Sequence, residues 1–67
     1  MVCYVNNSAY EAIDDQPLAE LLATLGQTQT RGLAVAVNDA VVPRTEWASH
    51  FVQPHDRILL IRATQGG

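Results

Sequence analysis

Leu18, Leu21, Leu22 and Leu25 recur at i, i+3, i+4 and i+7, the one clear helical period in this chain of 67 residues. The spacing puts four leucines along one face of a helix of two to three turns, with Ala19, Glu20, Ala23 and Thr24 turned away. Asp14-Asp15-Gln16-Pro17 marks its start. Acidic side chains suit the positive end of the helix dipole, and proline fits a first turn whose N–H groups need no helical partner. Gly26 supplies the stop. The rest of the chain must then form strands that pack on this single leucine face.

Val2-Cys3-Tyr4-Val5 is rich in strand formers and ends at Asn6-Asn7, a tight-turn pair that tolerates positive φ. Ser8 to Ile13 reads as the returning edge strand, with Glu11 in water and either Tyr10 and Ala12 or Ala9 and Ile13 facing inward. Gln27 to Gly32 is polar and reads as a loop. Leu33-Ala34-Val35-Ala36-Val37 alternates large and small with period two, so Leu33, Val35 and Val37 face the leucines while Ala34 and Ala36 form a flat opposite face. Asn38-Asp39-Ala40 turns the chain, Val41-Val42 pairs back, and Pro43 ends a short edge strand. Arg44 to His50 reads as one helical turn, with Trp47 and Phe51 pinning the connection onto the core. Gln53-Pro54-His55-Asp56 then turns into a last strand, Arg57 to Arg62.

Size and charge exclude much. A chain this short buries only about 60% of its unfolded surface and has no room for a deep catalytic cavity. Its net charge of -3 argues against nucleic acid, which needs clustered Lys and Arg. Arg31, Arg44, Arg57 and Arg62 are scattered and there is no Lys, so the α-amine of Met1 is the only amine that could capture an activated C-terminus. The single cysteine, Cys3, cannot form an internal disulfide and reads as a buried core thiol. His50 and His55 lack partners at metal-ligand spacing, so no metal site is expected. No signal sequence or membrane-length apolar run is evident, and a cytoplasmic monomer with no membrane partner is expected.

The last strand, Ile58-Leu59-Leu60-Ile61, is apolar on both faces, as a strand covered on both sides would be. One helix can cover only the Ile58 and Leu60 side. Leu59 and Ile61 are left beside Ala34 and Ala36 as a flat apolar patch of the kind that marks a partner site. Beyond it the chain ends in Gly66-Gly67. Two glycines have no packing use at a terminus, but they make the slimmest tail available, able to lie extended in a narrow channel.

The order strand, strand, helix, strand, strand, short turn, strand with a Gly-Gly end resembles the ubiquitin-like β-grasp fold, an α+β mixed sheet of about five strands with one main helix on one face. Local motifs resemble one branch, the sulfur carrier proteins of thiamine biosynthesis: Leu18-Ala19-Glu20-Leu21-Leu22, Ala36-Val37-Asn38, Val42-Pro43-Arg44 with Trp47 three residues on, then Asp56, Ile58, Leu59 and Gly66-Gly67. The family commonly has Gly where this chain has His55, and a positive φ there would cost His roughly 1 kcal/mol.

The resemblance implies a β-grasp domain over 1–62, a flexible tail over 63–67, and a carrier rather than an enzyme. An adenylating enzyme, using ATP and magnesium, would join the Gly67 carboxylate to AMP. Sulfur from a persulfide donor such as a cysteine desulfurase would displace AMP, and thiazole synthase would consume the resulting thiocarboxylate. The carrier itself would bind no cofactor. Gly66 would thread the tail, and Leu59, Ile61, Ala34 and Ala36 would dock the partner. The alternatives are the small subunit of molybdopterin synthase, with the same thiocarboxylate chemistry, and a β-grasp interaction module that is never conjugated. A free-standing enzyme finds no support, since no nucleophile–base pair, metal cluster or phosphate-binding loop is evident.

Overall fold

The computed structural model describes residues 1–27 and 31–63. The leucine stripe forms α1 (Leu18–Thr24), with Leu18, Leu21 and Leu22 buried and Leu25 half-buried against the same core. Around it run β1 (Val2–Val5), β2 (Ser8–Glu11), β3 (Leu33–Val37), β4 (Ala40–Val42) and β5 (Arg57–Arg62), with a 3-10 turn at Arg44–Glu46 between the last two. The sheet order is β2-β1-β5-β3-β4. β1 and β5 are parallel and the other pairs antiparallel, which gives the mixed five-stranded sheet with one helix expected for a β-grasp.

Both hairpins turn on residue pairs with positive φ at both central positions, Asn6-Asn7 and Asn38-Asp39, the geometry that matches the twist of the flanking strands. Tyr10 of β2 is half-buried and Ala12, just beyond the strand, is buried, both facing inward, while Ile13 lies out in water. The inner face of the sheet brings Cys3, Val35, Val37, Val42 and Ile58 onto the helix, and Trp47 and Val52 close the side that α1 does not reach. The Trp47 indole donates to the Val42 carbonyl at 2.9 Å, so its one polar atom is satisfied inside the core.

Three expectations are corrected. Pro17 is not in the first turn of the helix. It stands one place before it, extended at ψ 147°, and forms an isolated antiparallel bridge with Phe51. The first helical N–H groups are capped by main chain from across the fold: Leu18 donates to the His50 carbonyl at 2.7 Å and Ala19 to the Trp47 carbonyl at 3.0 Å. Asp14 and Asp15 lie outside the first helical turn, whose acidic residue is Glu20. Asp14 faces the α-ammonium of Met1 and Asp15 turns the chain at positive φ. Phe51 does not pin the connection. It is 49% exposed and Val52 is buried instead, because bridging to Pro17 gives this segment a strand's alternation.

A buried carboxylate ties the sheet's lower end together. Asp56 accepts from the Asn38 amide and from the Gln53 N–H, both at 2.8 Å. Asn38 in turn accepts from the Arg57 N–H at 2.9 Å. The loop before β5 is a tight turn in which Asp56 N–H donates to the Gln53 carbonyl and His55 takes φ 67°. Proline at the second position and positive φ at the third make it a type II turn, which favours glycine there. Among the described non-glycine residues with positive φ, His55 alone is neither Asn nor Asp.

His55→Gly should therefore raise the thermal midpoint, by about 5 °C for roughly 1 kcal/mol of relieved strain in a domain of this size. A midpoint that stays or falls means that contacts of the imidazole offset the strain.

A second prediction concerns alkaline pH. The α-ammonium of Met1 is held above its ordinary value of 8.0, chiefly by its hydrogen bond to Glu11. Burial, aided by the negative charge of Asp56, pushes the Cys3 thiol above 9.0. Both groups keep their protons longer folded than unfolded, so stability is full below pH 8 and declines as pH rises through their folded ranges. A thermal-midpoint series against pH should show this decline, and Cys3→Val should remove the part that begins near pH 9.

Candidate functional site

Alternation along β5 decides which side chains its two faces carry. Ile58 is buried and Leu60 half-buried on the helix side, while Leu59 is 44% and Ile61 53% exposed on the other. The register of β3 against β5 places Ala34 opposite Ile61 and Ala36 opposite Leu59. The four residues expected to form a docking patch thus stand as two cross-strand pairs at the centre of the sheet. Strands about 4.8 Å apart put these pairs in side-by-side contact range. The two alanines keep the β3 half low, so Leu59 and Ile61 stand proud of it.

The patch is wider than the sequence reading proposed. Val2 and Tyr4 of β1, each 37% exposed, share the outer face, as does Val41 of β4, 73% exposed and paired with Ala36. The signal lay in parity: Cys3 and Val5 point to the core, so Val2 and Tyr4 must point away. Arg57 continues the row of Leu59 and Ile61 and pairs with Asp39 at 3.0 Å. With Tyr4 and Asn7 these two residues line a shallow hollow that gives the apolar face a polar rim.

At the other end of β5 the strand runs toward the C-terminus. Arg62 pairs with Leu33, and the Ala63 N–H donates to the Gly32 carbonyl at 2.8 Å. Gly66 and Gly67, the expected threading and reacting residues, lie outside the described residues, as does most of the expected tail over 63–67.

Two further reactive groups, the Met1 amine and the Cys3 thiol, are occupied or buried. The Met1 α-ammonium donates to the Ala12 carbonyl at 2.8 Å and pairs with Glu11 at 2.7 Å and Asp14 at 3.5 Å. Cys3 has no exposed surface. Among the described residues no three His, Cys, Asp or Glu side chains gather as a metal ion would need, and no helix is long and apolar enough to cross a membrane.

The chain matches known proteins along nearly all of its sequence. A model of the ThiS family matches residues 3–67. The sulfur carrier protein ThiS of Escherichia coli (strain K12) is 44% identical over 62 residues, covering 92% of each chain. The crystal structure of the thiamine biosynthesis protein ThiS from Geobacter metallireducens superposes with a TM-score of 0.87 at 23% identity over the full length of both chains, a likeness of fold. The solution structure of a thiamine biosynthesis protein from the same organism gives 0.79 at 25% identity, covering this chain fully and 88% of the other. With a family model spanning nearly every residue and a curated relative of this identity, the chain belongs to the ThiS family.

Proposed function

We propose that this chain is a sulfur carrier of thiamine biosynthesis, a protein acted on by enzymes rather than a catalyst. One observation carries the reading. The strand that presents Leu59 and Ile61 on the uncovered face is the strand that leads into Gly66-Gly67. Docking and reacting groups therefore lie on one continuous segment. The relative from Escherichia coli, named a sulfur carrier, supports the same reading, and the thiamine biosynthesis protein from Geobacter metallireducens at 25% identity favours thiamine over the molybdopterin alternative.

The chemistry follows from a terminal carboxylate. With a pKa of about 3.3–3.7 it is ionised at neutral pH, nucleophilic toward phosphorus and inert as an acyl donor. In an adenylating enzyme supplied with ATP and magnesium, a Gly67 carboxylate oxygen attacks the α-phosphorus and pyrophosphate leaves. The terminal sulfur of a persulfide, as a cysteine desulfurase would provide, then attacks the acyl carbon and AMP leaves. Cleavage of the resulting acyl disulfide by a thiol, itself oxidised to a disulfide, frees the thiocarboxylate for thiazole synthase. Residues 63–67 reach about 16 Å when extended, so Gly67 enters the active site while the sheet face stays outside.

Ile61→Glu should leave the fold intact, since the side chain is already half in water, yet lower kcat/KM for adenylation by about 10- to 100-fold. It forfeits apolar burial and forces a carboxylate to lose water at the interface. ATP–pyrophosphate exchange with the adenylating enzyme measures this, and an unchanged value removes the patch from docking.

Extension of the chain by one residue beyond Gly67 should abolish exchange while the thermal midpoint stays put. The carboxylate moves by up to about 3.6 Å and an amide takes its place, where a misplacement of 1 Å can already cost about a hundredfold. Full exchange by the extended protein, with its intact mass verified, rules out the carrier reading.

A further inference from the structure

The far end of β5 is the least supported part of the sheet's centre. Toward β1, the parallel register covers only Arg57 and Ile58, and the Asn6 side chain reaches one step further by accepting from the Leu60 N–H at 2.8 Å. Ile61 and Arg62 are paired on the β3 side alone. Strand ends held on one side fray, yet this one stands next to the tail.

A second set of contacts meets it there. The Arg62 guanidinium donates through Nη2 to Gln27 Oε1 at 2.8 Å and through Nη1 to the Arg31 carbonyl at 3.4 Å. Gln27 is itself fixed by the end of α1: Gly26 takes φ 82° and donates to the Ala23 carbonyl, and the Gln27 N–H donates to the Leu22 carbonyl at 2.9 Å. This is a Schellman-type helix stop, which places the Gln27 side chain on a rigid mount. Gly32, at φ 75°, accepts from the Ala63 N–H. The point where the chain leaves the sheet is thus gripped by side chain and main chain together.

We propose that Gln27 and Arg62 form a latch that sets the root of the reacting tail at Ala63, making both positioning residues for activation of the Gly67 carboxylate. The inference rests on the carrier reading above. Gly67 lies four positions beyond Ala63. If β5 frays back to Leu60, Gly67 lies seven positions beyond the last residue paired with β3, and the end-group's effective concentration falls roughly twofold by the −3/2 power of length. Loss of the set departure direction adds to this, because reaction rates fall steeply with misplacement. Docking through Leu59 and the rest of the face is left in place. The latch therefore acts on kcat and spares KM.

The test uses the full chain in Gln27→Ala, Arg62→Ala, the double variant and Gln27→Glu, which keeps an acceptor for the guanidinium. ATP–pyrophosphate exchange with the adenylating enzyme should show kcat reduced about three- to tenfold with KM unchanged in both single variants. The double variant should be no worse than either, and Gln27→Glu should restore the wild-type rate. Amide hydrogen exchange at Ala63, read by NMR on the carrier alone, should lose protection in both alanine variants. A drop in Arg62→Ala with Gln27→Ala unaffected means that the partner reads Arg62 directly, and it overturns the latch. Unchanged Ala63 protection overturns it too, whatever the rates. If the wild type itself supports no exchange with an enzyme active on its own carrier, the carrier reading fails, while the Ala63 measurement still decides whether the latch exists.

Discussion

A seven-residue helix is about 10 Å long, and five strands side by side span about 19 Å. That mismatch governs this molecule. One helix can shield one face of the sheet, and only the middle of it. The inner face is completed by the connection after β4, where Trp47 and Val52 fill the space beside the helix and the carbonyls of Trp47 and His50 cap its first turn. Among the described residues nothing covers the outer face. A chain this short with one helix must either make that face polar or leave it apolar. Here Val2, Tyr4, Val41, Leu59 and Ile61 leave it apolar.

The parallel pairing of β1 and β5 is the other demanding element, because the chain ends farthest apart in sequence must meet. Asp56 answers it. Its carboxylate binds Asn38 of the β3–β4 turn and Gln53 of the preceding turn, and its carbonyl accepts from Tyr4 of β1 at 2.9 Å. One residue therefore joins three separate segments. A charged acceptor with good partners contributes more than a neutral one, about 1.5–3 kcal/mol per bond. The residues Asn38 and Asp56, which first stood out as part of a family resemblance, now have a physical reason to occur together.

Much of this was legible in the chain because periodicity is a strong signal. The leucine stripe, the alternation of β3 and both Asn-containing turns appear where their patterns place them. So do the two faces of β5. What failed to show depends on contacts between distant segments. Bulk alone favours Phe51 over Val52 as the core residue, and only the bridge to Pro17 reverses the choice. Pro17 and the acids before it look like a local helix start, but the capping groups come from residues 47 and 50. The proposed docking face rests on Leu59 and Ile61, whose exposure on an apolar strand needs explaining. Tyr4 and Val2 were overlooked because a half-exposed first strand needs none. The Arg62–Gln27 contact spans 35 positions and carries no sequence signature at all.

The exposed face also limits how tightly a partner can hold. Full burial of one large apolar side chain yields about 1.5–3 kcal/mol, and Leu59 and Ile61 have already given up about half of theirs to folding. Together they supply only about 1.5–3 kcal/mol, roughly a tenfold to a hundredfold in affinity at 1.4 kcal/mol per tenfold. Extension of the interface to Tyr4, Val2 and Val41 raises this, but the alanines at 34 and 36 offer little area. Such a surface fits the proposed carrier role, in which a partner that docks there must also release it. Specificity then falls to features that add little affinity, such as the polar rim at Arg57 and Asp39.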